Sequence, residues 1–312
     1  MSLRSFWAGM LFSCGSALLE SGHPRLALWH FARAARLHAT DAGYACAAAL
    51  AASQAGERNQ AAQFCERALE LEPDLADAHA ILGGLFMHGE DYFQVLQRLH
   101  RHLRPRSYVE IGVAEGRSLG LVQPGTIALG VDPQPVIASP LPQGVRVFSE
   151  TSDGFFASHD VRAELGGIPV DLALIDGMHH FEYALRDFIN LERLCGPDST
   201  ILIHDCFPYN RVTAERERLL VFWSGDVWRL VVLLKKYRPD LDIHTIATPP
   251  TGLCMVRRLD PASRVLQDNL DRICAEFLAL DYGFLEKDRA AELNLFPNDW
   301  EKILALVSGP AS

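Results

Sequence analysis

A glycine-bracketed loop and a later aspartate give the first chemical signal in this sequence. The apolar run Tyr108–Ile111 is typical of a buried strand, and it leads directly into a loop that begins at Gly112 and ends at Gly116. Gly112 permits a tight turn and a close ligand approach, and Gly116 permits a helix to start near that ligand. Asp132 ends the next apolar run, roughly 20 residues further on, where a carboxylate can accept the hydroxyl hydrogens of a ribose. The pattern predicts a binding site for an adenosine-type cofactor.

The same loop indicates which cofactor of that type to expect. Dinucleotide-binding loops follow the pattern G-x-G-x-x-G, whose middle glycine lets backbone amides reach a diphosphate. That glycine is absent here, and Glu115 would place negative charge beside the diphosphate. NAD and FAD are therefore disfavoured. A ligand without phosphates that carries a sulfonium and an ammonium cation suits Glu110 and its neighbours, which favours S-adenosylmethionine.

Acids and imidazoles follow the fourth and fifth apolar runs. Asp176 ends one run, His204 and Asp205 end the other, and His179 lies on the loop after Asp176. Because ligands bind at the carboxyl ends of strands in doubly wound sheets, these four side chains should face the cofactor crevice. We expect all four to be catalytic.

Two chemistries fit this set. In one, a histidine deprotonates a hydroxyl acceptor, because imidazole titrates near neutral pH. In the other, Asp176 and Asp205 hold a Mg²⁺ ion that lowers the pKa of the acceptor hydroxyl. The residue after Asp205 is Cys206, and a thiol is a poor Mg²⁺ ligand. The sequence leaves both chemistries open.

The elements that must position these residues alternate between strand and helix patterns. Apolar runs rich in β-branched residues alternate with helical patterns, which indicates a mostly parallel sheet with helices on both faces. The runs are 108–113, 127–131, 145–148, 172–176 and 201–204, followed by a hairpin of 242–248 and 253–257 around Pro249–Gly252. We assign 104–259 to this α/β domain. Residues 260–312 look helical and either pack on the helices of residues 1–103 or form a homodimer contact.

Residues 1–103 differ from the rest of the chain in composition and contain an internal sequence repeat. They are rich in Ala, Leu, Arg and Glu, which favours helix. A shift of 34 positions superimposes several identical residues, including Gly22 on Gly56 and Ala34 on Ala68. This is the period of a tetratricopeptide repeat. We predict three helical hairpins that offer a surface to a protein partner.

Charge and cysteine usage narrow the partners and the compartment. The formal net charge is −10, so the chain should repel nucleic acid. The seven cysteines contain no CxxC pair, which fits a reducing compartment better than a disulfide framework or a zinc site. No apolar run is long enough to cross a bilayer. We expect a cytoplasmic protein that binds neither nucleic acid nor membrane.

Residues 107–258 resemble the class I S-adenosylmethionine-dependent methyltransferases, and most of all methyltransferase family 24, which includes sugar O-methyltransferases and cephalosporin-hydroxylase-like proteins. The motifs that carry the resemblance are Val109–Leu119, Gly130–Asp132, Leu174–His179 and Ile203–Asp205. The resemblance implies a seven-stranded Rossmann-like sheet of order 3-2-1-4-5-7-6 whose last strand is antiparallel. It also implies that Gly112 and Gly116 bracket the methionine part of the cofactor, that Asp132 holds the ribose and that Thr151–Ser152 border the adenine. The expected cofactor-binding residues are thus Glu110, Gly112, Gly116, Asp132, Ser152 and Asp176.

The function expected from these features is O-methylation of a hydroxyl on a small molecule, sugar or glycan. Two other functions remain open. The chain can instead be an interaction scaffold whose α/β domain binds cofactor without turnover. It can also be a hydroxylase-like relative, because a fold does not fix a function.

Overall fold

The computed structural model describes residues 3–219 and 223–308, which form two compact units. Within these ranges, one unit comprises residues 3–88 with 218, 219 and 223, and the other comprises 89–217 with 224–308. Among the described residues, no helix combines the length and the hydropathy that crossing a membrane requires.

The first unit is helical. Its helices are α1 (Leu3–Glu20), α2 (Pro24–Leu37), α3 (Ala42–Gln54), α4 (Arg58–Leu71) and α5 (Ala76–Phe86). Gly22 and Gly56 lie in the α1–α2 and α3–α4 turns with φ of 78° and 79°, a left-handed conformation that glycine adopts at little cost. Small residues let the helices approach closely: a Cβ added to Gly15 would lie 2.7 Å from the Phe31 ring. The two equivalent glycine turns agree with the expected repeat, whose assignment to the tetratricopeptide class stays a prediction.

The second unit is built on an eight-stranded sheet of order β3-β2-β1-β4-β5-β7-β6-β8. The strands are β1 (Ser107–Ile111), β2 (Ile127–Val131), β3 (Val145–Phe148), β4 (Val170–Ile175), β5 (Cys195–His204), β6 (Asp242–Ile246), β7 (Leu253–Arg257) and β8 (Leu295–Phe296). β7 runs antiparallel to both of its neighbours, and the other pairs are parallel. The α/β fold class and the expected strand order are confirmed. The difference is the two-residue edge strand β8, which adds an eighth strand.

Helices cover both faces of this sheet. They are α6 (Tyr92–Leu103), α7 (Ser152–Ser158), α8 (Val161–Glu164), α9 (Phe181–Glu192), α10 (Trp228–Tyr237), α11 (Val265–Asp268), α12 (Leu270–Leu278), α13 (Gly283–Glu286), α14 (Arg289–Glu292) and α15 (Trp300–Ser308). α6 and α15 share a buried cluster with Tyr108, Leu172 and Leu202 of the sheet. α9 and α10 contact each other, and α9 also contacts β4 and β5.

The position of α6 changes the boundary expected from the sequence. The sequence pattern places Tyr92–Leu103 in the helical repeats, with a boundary at 103/104, whereas the contacts divide the chain at 88/89. The reason is the apolar stripe of α6, because Val95, Leu96 and Leu99 are wholly buried in the cluster beneath the sheet. Residues 260–308 likewise belong to the unit that contains the sheet. The assignment of three functional domains stays a prediction.

The segment after β1 also differs from expectation. Gly116 is followed by a single 3-10 turn, Leu119–Leu121, and not by a full helix. Gly120 and Pro124 both disfavour a continuing helix. Leu119 and Val122 of this segment pack in the same cluster as α6.

Candidate functional site

A cavity of about 920 Å³ opens at the carboxyl ends of the parallel strands. It is lined by residues that follow β1, β2, β3 and β4, and by residues of α6 and α9. Its volume lies in the range of small-molecule sites, roughly 300–1,000 Å³. Of the residues predicted from the sequence, Gly112, Asp132, Thr151, Ser152, Asp176 and His179 line it.

Gly112 is required by a close approach between two backbones. Its φ is 90°, and an added Cβ would lie 2.0 Å from the carbonyl oxygen of Asp176. The neighbouring backbone is fixed by hydrogen bonds, because Asp176 N donates to Ile111 O and Gly112 N donates to Val131 O, each at 2.8 Å. The glycine thus brings the loop after β1 directly against the first catalytic candidate. Gly116, with φ of 77°, shapes the loop but lies outside the residues that line the cavity.

Asp132 holds the glycine loop in place. Its Oδ2 accepts the backbone N–H groups of Val113 and Ala114 at 3.0 and 2.9 Å, and its Oδ1 accepts that of Gln134 at 2.8 Å. An ionised carboxylate has about four lone-pair sites. Asp132 therefore keeps one site for a ligand hydroxyl while it fixes the loop.

Glu110 lies elsewhere than expected. Its side chain is fully buried, accepts hydrogen bonds from Tyr108 Oη and Ser118 Oγ at 2.7 Å each, and is absent from the cavity lining. Burial raises the pKa of Glu110 to about 8, although these two hydrogen bonds lower it. Because side chains alternate along a strand, Glu110 shares a face with Tyr108 and lies behind the loop. Any influence on the cofactor would pass through Ser118, which lines the cavity.

The four catalytic candidates form one cluster. Nδ1 of His204 lies 3.1 Å from Asp176 Oδ1 and 3.0 Å from Asp205 Oδ2. Nε2 of His179 lies 3.0 Å from the same Asp205 oxygen and 3.7 Å from Asp176 Oδ1. His179 and Asp176 line the cavity, whereas His204 and Asp205 are buried behind them. The expected juxtaposition is present, but the structure separates it into an accessible pair and a supporting pair.

Mutual attraction sets the protonation of this cluster. Burial alone would lower the pKa of His204, but the carboxylates of Asp205 and Asp176 raise it to about 10. Burial would raise the pKa of Asp176, but His204 and His179 hold it well below its usual range. The pKa of His179 is raised as well, because the same two carboxylates outweigh its burial. At neutral pH, His204 is therefore protonated, and its imidazolium lies beside the carboxylate of Asp176.

Two residues of the cluster have unusual backbone conformations, which orient their side chains. His179 and Asp205 have φ of 55° and 56°, a left-handed region that side chains other than glycine rarely adopt. The loop that carries His179 is anchored, because its carbonyl accepts the Asp226 N–H at 3.1 Å. Gly225 allows this contact, since an added Cβ there would lie 2.0 Å from the same carbonyl oxygen. Thr251 Oγ1 donates to Asp205 Oδ1 at 2.6 Å and fixes the second acid.

Tyr92 is part of the site and was not predicted. Its ring stacks on His204 with a centroid separation of 3.9 Å and an interplanar angle of 26°. Its hydroxyl donates to Asp176 Oδ2 at 3.4 Å. A capping box of Asp91 and Gln94 fixes the start of α6, which carries Tyr92. That capping pattern was the available sequence signal, but it marks a helix start and not its partner.

The cluster also has the donors of a metal site. One ligand atom each from Asp176, His179 and Asp205 lies within 4.8 Å of the others. Two carboxylates and an imidazole suit a divalent cation such as Mn²⁺ or Zn²⁺, whereas Mg²⁺ prefers oxygen alone. The residues fit a divalent ion, with His179 as a third ligand that the sequence had not suggested.

Comparison with known proteins supports the interpretation of the central segment. Residues 109–206 match the protein family described as a methyltransferase domain. This segment is a methyltransferase domain, and the class of enzyme predicted from the sequence motifs is confirmed for it. A search of curated proteins finds no match.

Several solved structures are similar to this chain at a low level. The O-methyltransferase TomG from Streptomyces achromogenes, in complex with SAM, is 15% identical, covers 54% of this chain and 79% of its own, and has a TM-score of 0.41. Cofactor-bound Rv0187 from MTB is 18% identical, covers 61% and 91%, and has a TM-score of 0.45. The O-methyltransferase from Bacillus cereus, in complex with SAH, is 16% identical, covers 57% and 86%, and has a TM-score of 0.37. These TM-scores are low, so the fold assignment depends on the strand order itself.

Proposed function

We propose that this chain is an S-adenosylmethionine-dependent O-methyltransferase that acts on a hydroxyl of a small molecule, sugar or glycan. The observation that carries the proposal is His179, whose Nε2 lies between two carboxylates at the wall of a cavity formed by the glycine loop. A base at that place faces whatever the cavity binds beside the cofactor.

The cofactor would lie along the ends of β1, β2 and β3. Gly112 and the loop after it would hold the methionine part, Asp132 the ribose, and Ser152 the adenine. Asp176 would face the sulfonium, which suits a carboxylate whose pKa lies well below its usual range. The family match and the cofactors named for TomG and the Bacillus cereus enzyme support S-adenosylmethionine over other adenosine compounds.

The transfer then needs one base and one nucleophile. The acceptor hydroxyl would give its proton to His179 Nε2. S-adenosylmethionine would supply the methyl group to the acceptor oxygen, and the electron pair of the broken sulfur–carbon bond would stay on the sulfur of the S-adenosylhomocysteine product. A bound sulfonium would also lower the pKa of His179, because like charges disfavour each other, and so bring it closer to that of a base at neutral pH.

The buried half of the cluster would position the base. Once His179 carries the transferred proton, Asp205 would accept its Nε2–H through the 3.0 Å contact and so stabilise the imidazolium. His204, protonated and stacked on Tyr92, would neutralise the two carboxylates and keep them in place. We assign His204 and Asp205 as positioning residues, because neither lines the cavity.

A divalent cation is the second version of this site. Asp176, Asp205 and His179 would hold it, and the ion would lower the pKa of the acceptor hydroxyl. Turnover measured after dialysis against EDTA distinguishes the mechanism with a histidine base from the mechanism with a metal ion. Unchanged turnover supports His179 as the base, and turnover restored by Mg²⁺ or Mn²⁺ supports the ion.

The acceptor would occupy the part of the cavity next to α6. Tyr92, Phe93 and Arg117 line that part, and the Arg117 guanidinium lies over the Phe93 ring at 4.2 Å. Aromatic faces and a guanidinium suit a ring that carries polar substituents. A sugar and a small aromatic alcohol both have this chemistry.

Isothermal titration with S-adenosylmethionine is the first test, with micromolar binding expected. Folded protein that binds neither S-adenosylmethionine nor S-adenosylhomocysteine at millimolar concentration would contradict the proposal. Mass spectrometry of metabolites from cells without the gene then identifies the acceptor as a compound that has lost one CH₂ unit. Loss of an oxygen atom instead would indicate a hydroxylase-like reaction.

An interaction scaffold is the competing function, and the helical unit is the observation that favours it. Helical repeats build surfaces for peptides. In that case an Asp176→Ala variant would support the cell as well as the native chain does. A defect restored by the native gene alone would favour the enzyme.

A further inference from the structure

A buried carboxyl group beside Ser152 has no role in the chemistry described so far. Asp187, on α9, is 3% exposed and lines the cavity together with Ser152, Asp153 and Tyr183. Its Oδ1 has no hydrogen-bond partner among residues 3–219 and 223–308. A buried polar atom without a partner costs free energy, so a native structure usually satisfies it with a ligand or a water.

The position of Asp187 points to one end of the cofactor. In the proposed binding mode the loop after β3 borders the adenine, and Asp187 lies beside that loop. Burial raises the pKa of Asp187 to about 7, a rise that hydrogen bonding with the Ser152 side chain partly offsets. An ionised carboxylate only accepts hydrogen bonds. The one donor that an adenine ring offers is its exocyclic amine.

Asp153 is the other acid at this end, and its bonds are already made. The Arg186 guanidinium binds both of its oxygens, at 2.9 and 2.7 Å. A carboxylate in such a bidentate pair is largely neutralised. Asp187 has no such partner, which makes it the better acceptor for a ligand amine.

We propose that Asp187 selects the 6-amino group of the cofactor's adenine by accepting a hydrogen bond from it. The inference depends on the proposed cofactor, and it identifies the residue that distinguishes adenine from a purine without the amine. The competing explanation is a water in the void of about 10 Å³ that Asp187 also lines. A void of that size is at the lower limit for one water.

The test measures binding by titration calorimetry at pH 8, where most of the Asp187 carboxyl is ionised. The probes are S-adenosylhomocysteine and its 6-deamino analogue, which carries hydrogen in place of the amine. Native protein should bind the analogue at least about tenfold more weakly, because a hydrogen bond to a charged group is lost. The Asp187→Ala variant should bind S-adenosylhomocysteine about tenfold more weakly than native protein does. Its affinities for the two probes should lie within about threefold of each other.

Asp153→Ala is the matched control and should keep the tenfold preference. The proposal is overturned if native protein shows no preference, or if Asp153→Ala abolishes it. It is also overturned if Asp187→Ala weakens both probes equally, since Asp187 would then only support Ser152. Asp187→Asn preserves the shape, and its circular dichroism and titration with both probes distinguish misfolding from lost recognition. If S-adenosylhomocysteine itself fails to bind native protein, the proposed function fails instead.

Discussion

At the scale of single residues, the cavity wall separates the base from the groups that position it. His179 reaches the cavity, Asp205 contacts His179 from behind, and His204 in turn contacts Asp205. This order makes different predictions for the two histidines of the loop, because His180 Nε2 pairs with the backbone carbonyl of Arg216 at 2.9 Å.

His179→Gln should lower the turnover number by about 10²–10⁴, the usual contribution of a general base. Affinity for S-adenosylhomocysteine should stay within about threefold. Methyl transfer from labelled S-adenosylmethionine to the identified acceptor measures the turnover number, and calorimetry measures the affinity for S-adenosylhomocysteine. His180→Gln is the neighbouring control and should keep most of the turnover. Equal losses in both variants would remove His179 from the role of base.

Gly112→Ala should weaken both the fold and the cofactor site. The added Cβ would lie 2.0 Å from Asp176 O, and the φ of 90° is unfavourable for alanine. We expect a loss of at least about 2 kcal/mol in the free energy of unfolding, measured in urea, together with reduced binding of S-adenosylhomocysteine. Gly120→Ala is the control, because an added Cβ there meets no atom within 4 Å. If both variants have the same stability, the close approach of the two loops is not a constraint.

The polar residues at strand ends could be predicted from the sequence, but the residues that contact them from distant positions in the sequence could not. Asp132, Asp176 and Asp205 were predictable because parallel strands present their carboxyl ends at one edge. Tyr92 was not, because it is 84 residues from Asp176 and arrives on a helix of another part of the chain. Glu110 was expected at the cofactor, but the alternation of strand side chains turns it toward Tyr108.

At the scale of elements, strands were predicted better than helices. The runs 127–131, 145–148 and 253–257 agree with β2, β3 and β7 to the residue, because β-branched apolar runs bounded by turn residues carry a strong strand signal. The helix expected after Gly116 was wrong for a local reason, the breakers Gly120 and Pro124. β8 has only two residues, too few for any periodic pattern.

α6 contains a buried histidine that predicts how stability depends on pH. The His100 side chain is wholly buried against the Tyr108 ring, and neither ring nitrogen has a hydrogen-bond partner within the described ranges. Burial lowers the pKa of His100 from 6.5 to about 4. Between these values the unfolded chain binds the proton and the folded chain does not, so acid favours unfolding.

His100→Phe should remove this penalty. Between pH 7 and pH 4, native protein should lose about 3 kcal/mol more of its free energy of unfolding than the variant does, at about 1.4 kcal/mol for each pKa unit. Urea unfolding at both pH values measures the difference. His102→Phe, at an exposed position of the same helix, should follow the native curve. If native protein and His100→Phe lose the same amount, His100 is protonated in the folded chain.

At the scale of the whole molecule, composition and repeats indicated two kinds of domain but not their boundary. The helical composition extends to Leu103, so α6 looked like the last helix of the repeats. The apolar stripe of α6 was visible in the sequence, but such a stripe does not identify the surface on which the helix packs. The contacts of Val95, Leu96 and Leu99 with the buried cluster of the sheet assign α6 to the second unit. Cytoplasmic localisation, oligomeric state and the partner of the first unit stay predictions.

Two truncations test where the catalytic unit begins. A chain that starts at Gly89 keeps α6, and it should bind S-adenosylhomocysteine within about threefold of the full chain, because the cavity-lining residues all lie from Tyr92 onward. A chain that starts at Arg104 loses Tyr92 and uncovers Tyr108 and Leu172 of the core. Removing three wholly buried apolar side chains costs several kcal/mol, about 2–5 for each large one, which is comparable to the whole stability of an ordinary domain. The chain that starts at Arg104 should therefore be unfolded by circular dichroism and bind no cofactor.

If the chain that starts at Gly89 binds cofactor but loses turnover on the native acceptor, the first unit presents the substrate. If the chain starting at Arg104 folds and binds normally, α6 belongs with the repeats after all.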